Sequence, residues 1–159
     1  MSFLDTTPSN ISVSSGKVLQ VVSTPFNTPK SHSSATFASM GHSVVITPAS
    51  TSSKILLTVN GGHAWNNNII NKVRYFTIYR GSTDLGHGSA GLWTHYCNAL
   101  NAQPHSGAFL DAPSTTDELT YTVYARGTDT SVGHYCVSTA GAGTSNVPTI
   151  TLTAIEVSS

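Results

Sequence analysis

Polar and apolar residues alternate strictly along much of this chain. In ELTYTVYAR (118–126), Leu119, Tyr121, Val123 and Ala125 fall on one side and Thr120, Thr122, Tyr124 and Arg126 on the other. That is the pattern of an antiparallel strand with one face buried and one wet. PTITLTAIEV (148–157) repeats it: Ile150, Leu152 and Ala154 oppose Thr149, Thr151 and Thr153, and Pro148 stands at the strand start, where its missing N–H costs least. KVLQVVS (17–23), HSVVITP (42–48), SKILLTVNG (53–61), VRYFTIYRG (73–81), GAFLDA (107–112) and GHYCVST (133–139) are further short runs rich in β-branched or aromatic residues, and they read as strands. Turn clusters such as TPASTSS, NGG, RGSTD, APSTTD, RGTDTS and AGAGTSN separate them, at roughly the 8–12-residue spacing of a sandwich or barrel. No segment holds a 3.6-residue period long enough for a major helix; TFASM and HYCNALNA each allow one turn at most. The prediction is an all-β fold, a two-sheet antiparallel sandwich, jelly-roll-like, of about eight to ten strands. Residues 1–16, rich in Ser, Thr, Pro and Asn, are expected to form an extended N-terminal arm outside a β-sandwich domain over 17–159.

Composition narrows the partners. The 159 residues suffice for one domain with its own core, without a metal or disulfide staple. Charged residues make up only 9%, and 7 Lys plus Arg balance 7 Asp plus Glu. With no basic field to release counterions and no polybasic run, neither nucleic acid nor an anionic membrane is an expected partner. The start of the sequence lacks the charged and apolar regions of a signal peptide, and no apolar run approaches the ~20 residues that span a bilayer, so a soluble protein with free thiols is expected.

The candidate chemistry centres on two short stretches. His-Tyr-Cys occurs twice, at 95–97 and 134–136, and holds both cysteines. In strands, residues two apart share a face, so two paired strands would bring His95, Cys97, His134 and Cys136 together as a tetrahedral set. Structural zinc sites use other spacings, however, and free cysteine usually packs as a small apolar residue; no metal and no cofactor is expected. A cysteine nucleophile lacks a helix N-terminus to lower its pKa. No G-x-S-x-G, H-E-x-x-H or G-x-x-x-x-G-K-[ST] motif occurs, and Asp84, Asp111, Asp117, Glu118 and Asp129 fall mostly in predicted turns, where carboxylates bend or cap the backbone. No enzyme activity is expected. NGGHAWNNNIINK (60–72) reads as the most unusual loop: Trp65 offers a ring face, and His63, Asn66, Asn67 and Asn68 offer groups that donate and accept, the pairing that recognises sugars. Its bland alternative has Trp65 plugging the end of the sandwich. Trp93, His95 and Tyr96, with His105 and Gly107 further on, make a second candidate outward-facing surface.

GKVLQVVST, SVVITPASTSSKILLTVNG, YRGSTDLGHG, FLDAPSTTDELTYTVYARG and TITLTAIEV, in this order from about Gly16 to Val157, resemble a family of small tail-fibre-like virion proteins of phages infecting cyanobacteria and other aquatic bacteria. The resemblance implies an all-β domain at a fibre end or on the virion surface, usually a homotrimer, without enzyme activity, located in the virion after assembly in the host cytoplasm. The stretches 63–71 and 86–106 fall outside it, so a function peculiar to this chain is expected there.

Three function classes follow. The first is a trimeric tail-fibre or receptor-binding module that recognises a host surface glycan. The second is a capsid decoration protein that stabilises the shell, and the third is a carbohydrate-binding module outside a virion. Expected partners are the chain itself, as a homotrimer, and another virion structural protein reached by the arm, with Phe3, Leu4, Ile11 and Val13 as the contacts.

Overall fold

The computed structural model describes residues 16–66, 72–97, 103–128, 130, 133–135 and 148–158. Of the expected arm at 1–16, residues 1–15, with Phe3, Leu4, Ile11 and Val13, lie outside the described residues, as do Asn67, Asn68 and Cys136.

Eleven strands are described: β1 (Val18–Phe26), β2 (Lys30–His32), β3 (Ala38–Ile46), β4 (Lys54–Asn66), β5 (Lys72–Arg80), β6 (Thr83–Asp84), β7 (Trp93–Cys97), β8 (Gln103–Asp111), β9 (Leu119–Gly127), β10 (Gly133–Tyr135) and β11 (Ile150–Val157). One short 3-10 turn, Gly88–Ala90, interrupts the β structure between β6 and β7. All pairings are antiparallel and form two sheets. In the first sheet β1 pairs with β11, β11 with β4 and β4 with β8; β10, flanked by β2, continues along β4 beyond the end of β11. In the second, β3 pairs with β9, β9 with β5 and β5 with β7, while the short β6 lies at the other end of β5.

The eight principal strands nest. The first pairs with the last (β1 with β11), the second with the seventh (β3 with β9), the third with the sixth (β4 with β8) and the two innermost with each other (β5 with β7). This is one long antiparallel ribbon rolled over itself into two four-stranded sheets, the jelly-roll arrangement.

Alternation builds the core as expected. Tyr121, Val123 and Ala125 of β9 and Ile150, Leu152 and Ala154 of β11 are buried, and they pack with Met40, Val44 and Ile46 of β3, Ile55, Leu57 and Val59 of β4, and Phe76 and Ile78 of β5. Their burial supplies the driving force that joins the sheets. At one end of this core the β5 residue Arg80 donates to both oxygens of Asp111 at 2.8 Å, and the Tyr121 hydroxyl donates to the same carboxylate at 2.7 Å. Asp111 is thus a buried residue at the end of β8, inside the run 107–112 read as a strand. Burial and the bond to Asp111 hold the Tyr121 phenol well above its usual pKa. Glu156 is buried at the same end and accepts from Gln20 Nε2 at 2.6 Å and the Ala49 amide at 2.7 Å. Burial would raise its pKa, but hydrogen bonds from Ser53, Gln20 and the Ala49 amide prevail and hold it below the usual value.

Two expectations about local structure are corrected. NGG (60–62) is not a turn: β4 passes through it to Asn66, with a bulge between Gly61 and His63. Gly61, at φ +87°, needs the left-handed region, and any Cβ there would strike the carbonyl oxygen of Thr149, which also accepts from Gly62 N–H at 3.0 Å. TFASM does not make a helical turn; Ala38, Ser39 and Met40 begin β3.

Candidate functional site

The end of the sandwich opposite Asp111 is closed by histidines. His105 projects inward from β8 and is 1% exposed; His95 projects inward from β7 and His42 from β3, and both are buried. Half-buried His63 sits on β4 just past the Gly61 bulge, and half-buried His32 ends β2. Phe76 is the hub of this layer. Its ring centroid lies 4.7 Å from His105, edge-on, 5.1 Å from His95, and 5.7 Å from Trp93, nearly parallel. His42 stacks on Phe26 at 4.3 Å. Trp93 Nε1 donates to His105 Nδ1 at 3.4 Å, and the indole rests on Gly107, where a Cβ would come within 3.1 Å of the ring. Arg74 is 2% exposed and lies in register with His95.

The electrostatics follow from burial among cations. Burial lowers the His95 pKa to about 4. Burial, then the charge of Lys30, lowers His42 to about 4; burial, then Arg74, does the same for His32. His105 is held well below 6.5, by burial first and then by His95, His42 and His63. At neutral pH His32, His42, His95 and His105 are uncharged imidazoles. Among the described residues no group of three or more His, Cys, Asp or Glu is placed to hold a metal ion.

The predicted site residues divide. Tyr96 is exposed, as an outward-facing surface requires, but its neighbour His95 faces the core and Trp93 is half-buried against Phe76. The reason is the pleat: β7 turns every second residue inward, and His95 takes an inward place. Trp65 and Asn66 lie on a strand and not in a loop; Trp65 is in register with His134 of β10. The strand pairing that a metal set of the two His-Tyr-Cys copies would require does not form, because β7 belongs to the second sheet and β10 to the first. Sequence reasoning missed His105 and His42 as members of an interior layer. His42 shares the inward period of Met40, Val44 and Ile46, the one signal that marked it. It also missed the aromatic outer face of the second sheet, where Tyr79 stacks on Tyr124 at 4.0 Å and the Arg126 guanidinium lies 4.0 Å over Tyr75. A cleft of about 270 Å³ lined by Pro25, Phe26, Asn27 and Thr149 opens beside the histidine end. It falls just short of the roughly 300 Å³ at which small-molecule sites begin.

Gly16 and Ser158 meet at the Asp111 end, where the Lys17 amide donates to Ser158 Oγ at 2.9 Å and Ser158 N–H to the Lys17 carbonyl at 2.9 Å. The connections from β4 to β5, β7 to β8 and β9 to β11 all leave from the histidine end.

No family model and no curated protein matches the chain. Solved structures similar to it come from infectious bursal disease virus. The chain of the T13 viral particle is 10% identical, with a TM-score of 0.44 over 90% of this chain and 38% of that one. The Gt strain structure is 12% identical, with a TM-score of 0.41 over 89% of this chain and 39% of that one. The VP2 protein in T=1 particles is 11% identical, with a TM-score of 0.38 over 88% and 38%. This chain therefore spans well under half the length of those it matches.

Proposed function

We propose that this chain is a non-enzymatic structural module of a phage virion, a trimeric tail-fibre or receptor-binding domain displayed on the particle surface. The observation that carries the reading is where the described chain begins and ends in the fold: Gly16 and Ser158 meet at the Asp111 end, while the exposed Tyr96 stands toward the histidine end. A domain supported at its Gly16–Ser158 end turns the histidine end outward. Residues 1–16 serve as the attachment element to another virion protein. The exposed Tyr96, beside the connection that follows β7, and the stretch around Trp65 belong to the end that would meet a host glycan. The resemblance in sequence from Gly16 to Val157 supports the reading, and the jelly roll is a fold that coat and lectin domains both use, although fold alone does not decide function.

The test is the position of the chain in intact particles, by gold-labelled antibody and by copy number. Labelling at the tail, with a few dozen copies at most on symmetry grounds, is the expected result. Labelling over the whole shell, in hundreds of copies, would replace it with the capsid-decoration reading. Absence from particles would leave the carbohydrate-binding module outside a virion.

A further inference from the structure

Arg80 is paired with Asp111, but among the described residues no carboxylate pairs with Arg126 of β9. Its guanidinium is nevertheless fixed in place. It lies 4.0 Å over the ring of Tyr75, its register partner on β5, and 5.7 Å from the Phe37 ring. Nε donates to the Ser89 carbonyl at 2.6 Å, and Nη1 to the Gly127 carbonyl at 3.2 Å and the Ala35 carbonyl at 3.5 Å. These bonds tie the GHGSAG loop (86–91) and the chain before β3 to the outer face of the second sheet, and Phe37 closes over Gly91, where a Cβ would come within 3.1 Å of its ring. Three neutral acceptors satisfy hydrogens without cancelling the charge. The other terminal nitrogen, Nη2, makes no hydrogen bond among the described residues and is not buried. Since a guanidinium does not give up its proton in a protein, a permanent, held cation faces solvent here.

Its surroundings are rings and hydroxyls. On the outward positions of β5, β7 and β9, Arg126 is the one Lys or Arg, there is no Asp or Glu, and tyrosines, threonines and Val73 fill the rest. Thr94 of β7 is opposite Tyr75, and Tyr96, 52% exposed, stands diagonally beside it, two strands from Arg126, roughly 10 Å away. We infer that Arg126 and Tyr96 form a binding site for an acidic glycan, in which Nη2 donates to a carboxylate or sulfate on one sugar unit and the Tyr96 ring stacks on another. The inference rests on the receptor-binding reading and gives it a ligand class and residues. A nucleic acid or an anionic membrane needs a field of cations, whereas a single one suits a single acidic group. Aromatic faces beside hydroxyls supply the stacking and the hydrogen bonds that sugars use. The brace of carbonyls adds preorganisation, because the guanidinium has little freedom left to lose on binding. Ser89 and Tyr96 both fall in 86–106, the stretch outside the sequence resemblance.

The test titrates the full chain by calorimetry with an oligogalacturonide, which carries carboxylates, a sulfated galactan fragment and an uncharged galactan fragment. Binding of either acidic ligand at least about tenfold tighter than the uncharged one, and weakening as salt is added, is the expected result; the tighter of the two names the acid group. Arg126→Gln is expected to abolish that preference while keeping the weak affinity for the uncharged fragment, and Tyr96→Ala to weaken all three. A folded Arg126→Gln variant that keeps the preference overturns the site. So does parent binding that ignores charge, and so does poly-glutamate bound as tightly as the acidic sugars, which would make the ligand an acidic peptide. Because Arg126→Gln also loses the bonds to Ser89 and Ala35, the Arg126 Nε resonance of the parent is the second check: an acidic ligand that leaves it unshifted overturns the site whether or not the variant folds. A chain found at the tail of particles that binds none of these ligands refutes this inference and leaves the receptor-binding reading standing, whereas absence from particles refutes that reading whatever the titration gives.

Discussion

The imidazole rings of His95 and His105 lie 4.7 Å apart, tilted by 34°, in the interior of the sandwich. One proton on either ring raises the cost of a proton on the other, and the charges acting on this layer from β2 and β5, Lys30 and Arg74, are cationic too. Unfolded histidine takes up its proton near 6.5, whereas His32, His42 and His95 in the fold take theirs near 4. The unfolded state therefore binds more protons between these values. The stability contributed by neutral histidine is fully present above 6.5 and is lost as pH falls toward 4. At about 1.4 kcal/mol per pKa unit, the buried His42 and His95 alone shift the balance by several kcal/mol, against a total of about 5–15 kcal/mol for an ordinary domain. The melting temperature is expected to be flat from pH 8 to 7 and to fall steadily from 6.5 to 4, with His95→Gln flattening part of the slope. A flat profile down to pH 4.5 would contradict this account. Glu156, with its lowered pKa, contributes its own loss only below about pH 4.5, so the two windows are separable.

Asp111 receives Arg80 and Tyr121 together, so its removal strands two donors. Asp111→Ala is expected to cost about 3 kcal/mol, and Tyr121→Phe about 1 kcal/mol, because the latter removes one hydrogen bond and leaves the ion pair intact. Urea unfolding measures both, and equal costs for the two variants would refute this ordering.

Gly61 and Gly81 both have positive φ, +87° and +56°, but differ in surroundings. A Cβ on Gly61 would strike the Thr149 carbonyl, while nothing lies within 4 Å of one on Gly81. Gly81→Ala is expected to cost about 1 kcal/mol, the backbone penalty alone, and Gly61→Ala clearly more, about 2–3 kcal/mol, because β4 or the chain before β11 must shift. Thermal denaturation of the pair checks the difference, and a similar drop for both would show that the bulge yields freely.

Metal removal is expected to change nothing. Purified protein should carry no stoichiometric zinc, and chelator should leave the melting temperature where it was; one zinc per chain, lost together with stability, would revive the His-Tyr-Cys site. The motivating fact is that the two copies of that tripeptide sit on strands of different sheets.

What the sequence revealed was local. Strict alternation in 118–126 and 148–157 placed Tyr121, Val123, Leu152 and Ala154 inside, because burial of one face is written into every second residue. The pairing order was not readable, since strand partners are chosen by packing over long separations and leave no mark on the strand itself. The Gly61 bulge was read as a turn because Asn-Gly-Gly satisfies hairpin chemistry equally well; the Thr149 carbonyl decides the matter, and it comes from far along the chain. The histidine layer was invisible for a related reason. His42, His63, His95 and His105 come from four strands in two sheets, and each alone reads as an ordinary polar residue.

The nesting of the strand pairs governs how the chain reaches this state. β5 and β7 close over a short connection, whereas β1 and β11 bring together Lys17 and Ser158, 141 residues apart in sequence. Loop closure grows dearer with separation, so the inner pair is poised to zip first and each outer pair closes on a shorter effective loop than the bare chain would offer. Refolding should be slow, in the millisecond-to-second range of high-contact-order β proteins, with the β1–β11 seam the last to acquire amide protection in pulsed hydrogen exchange.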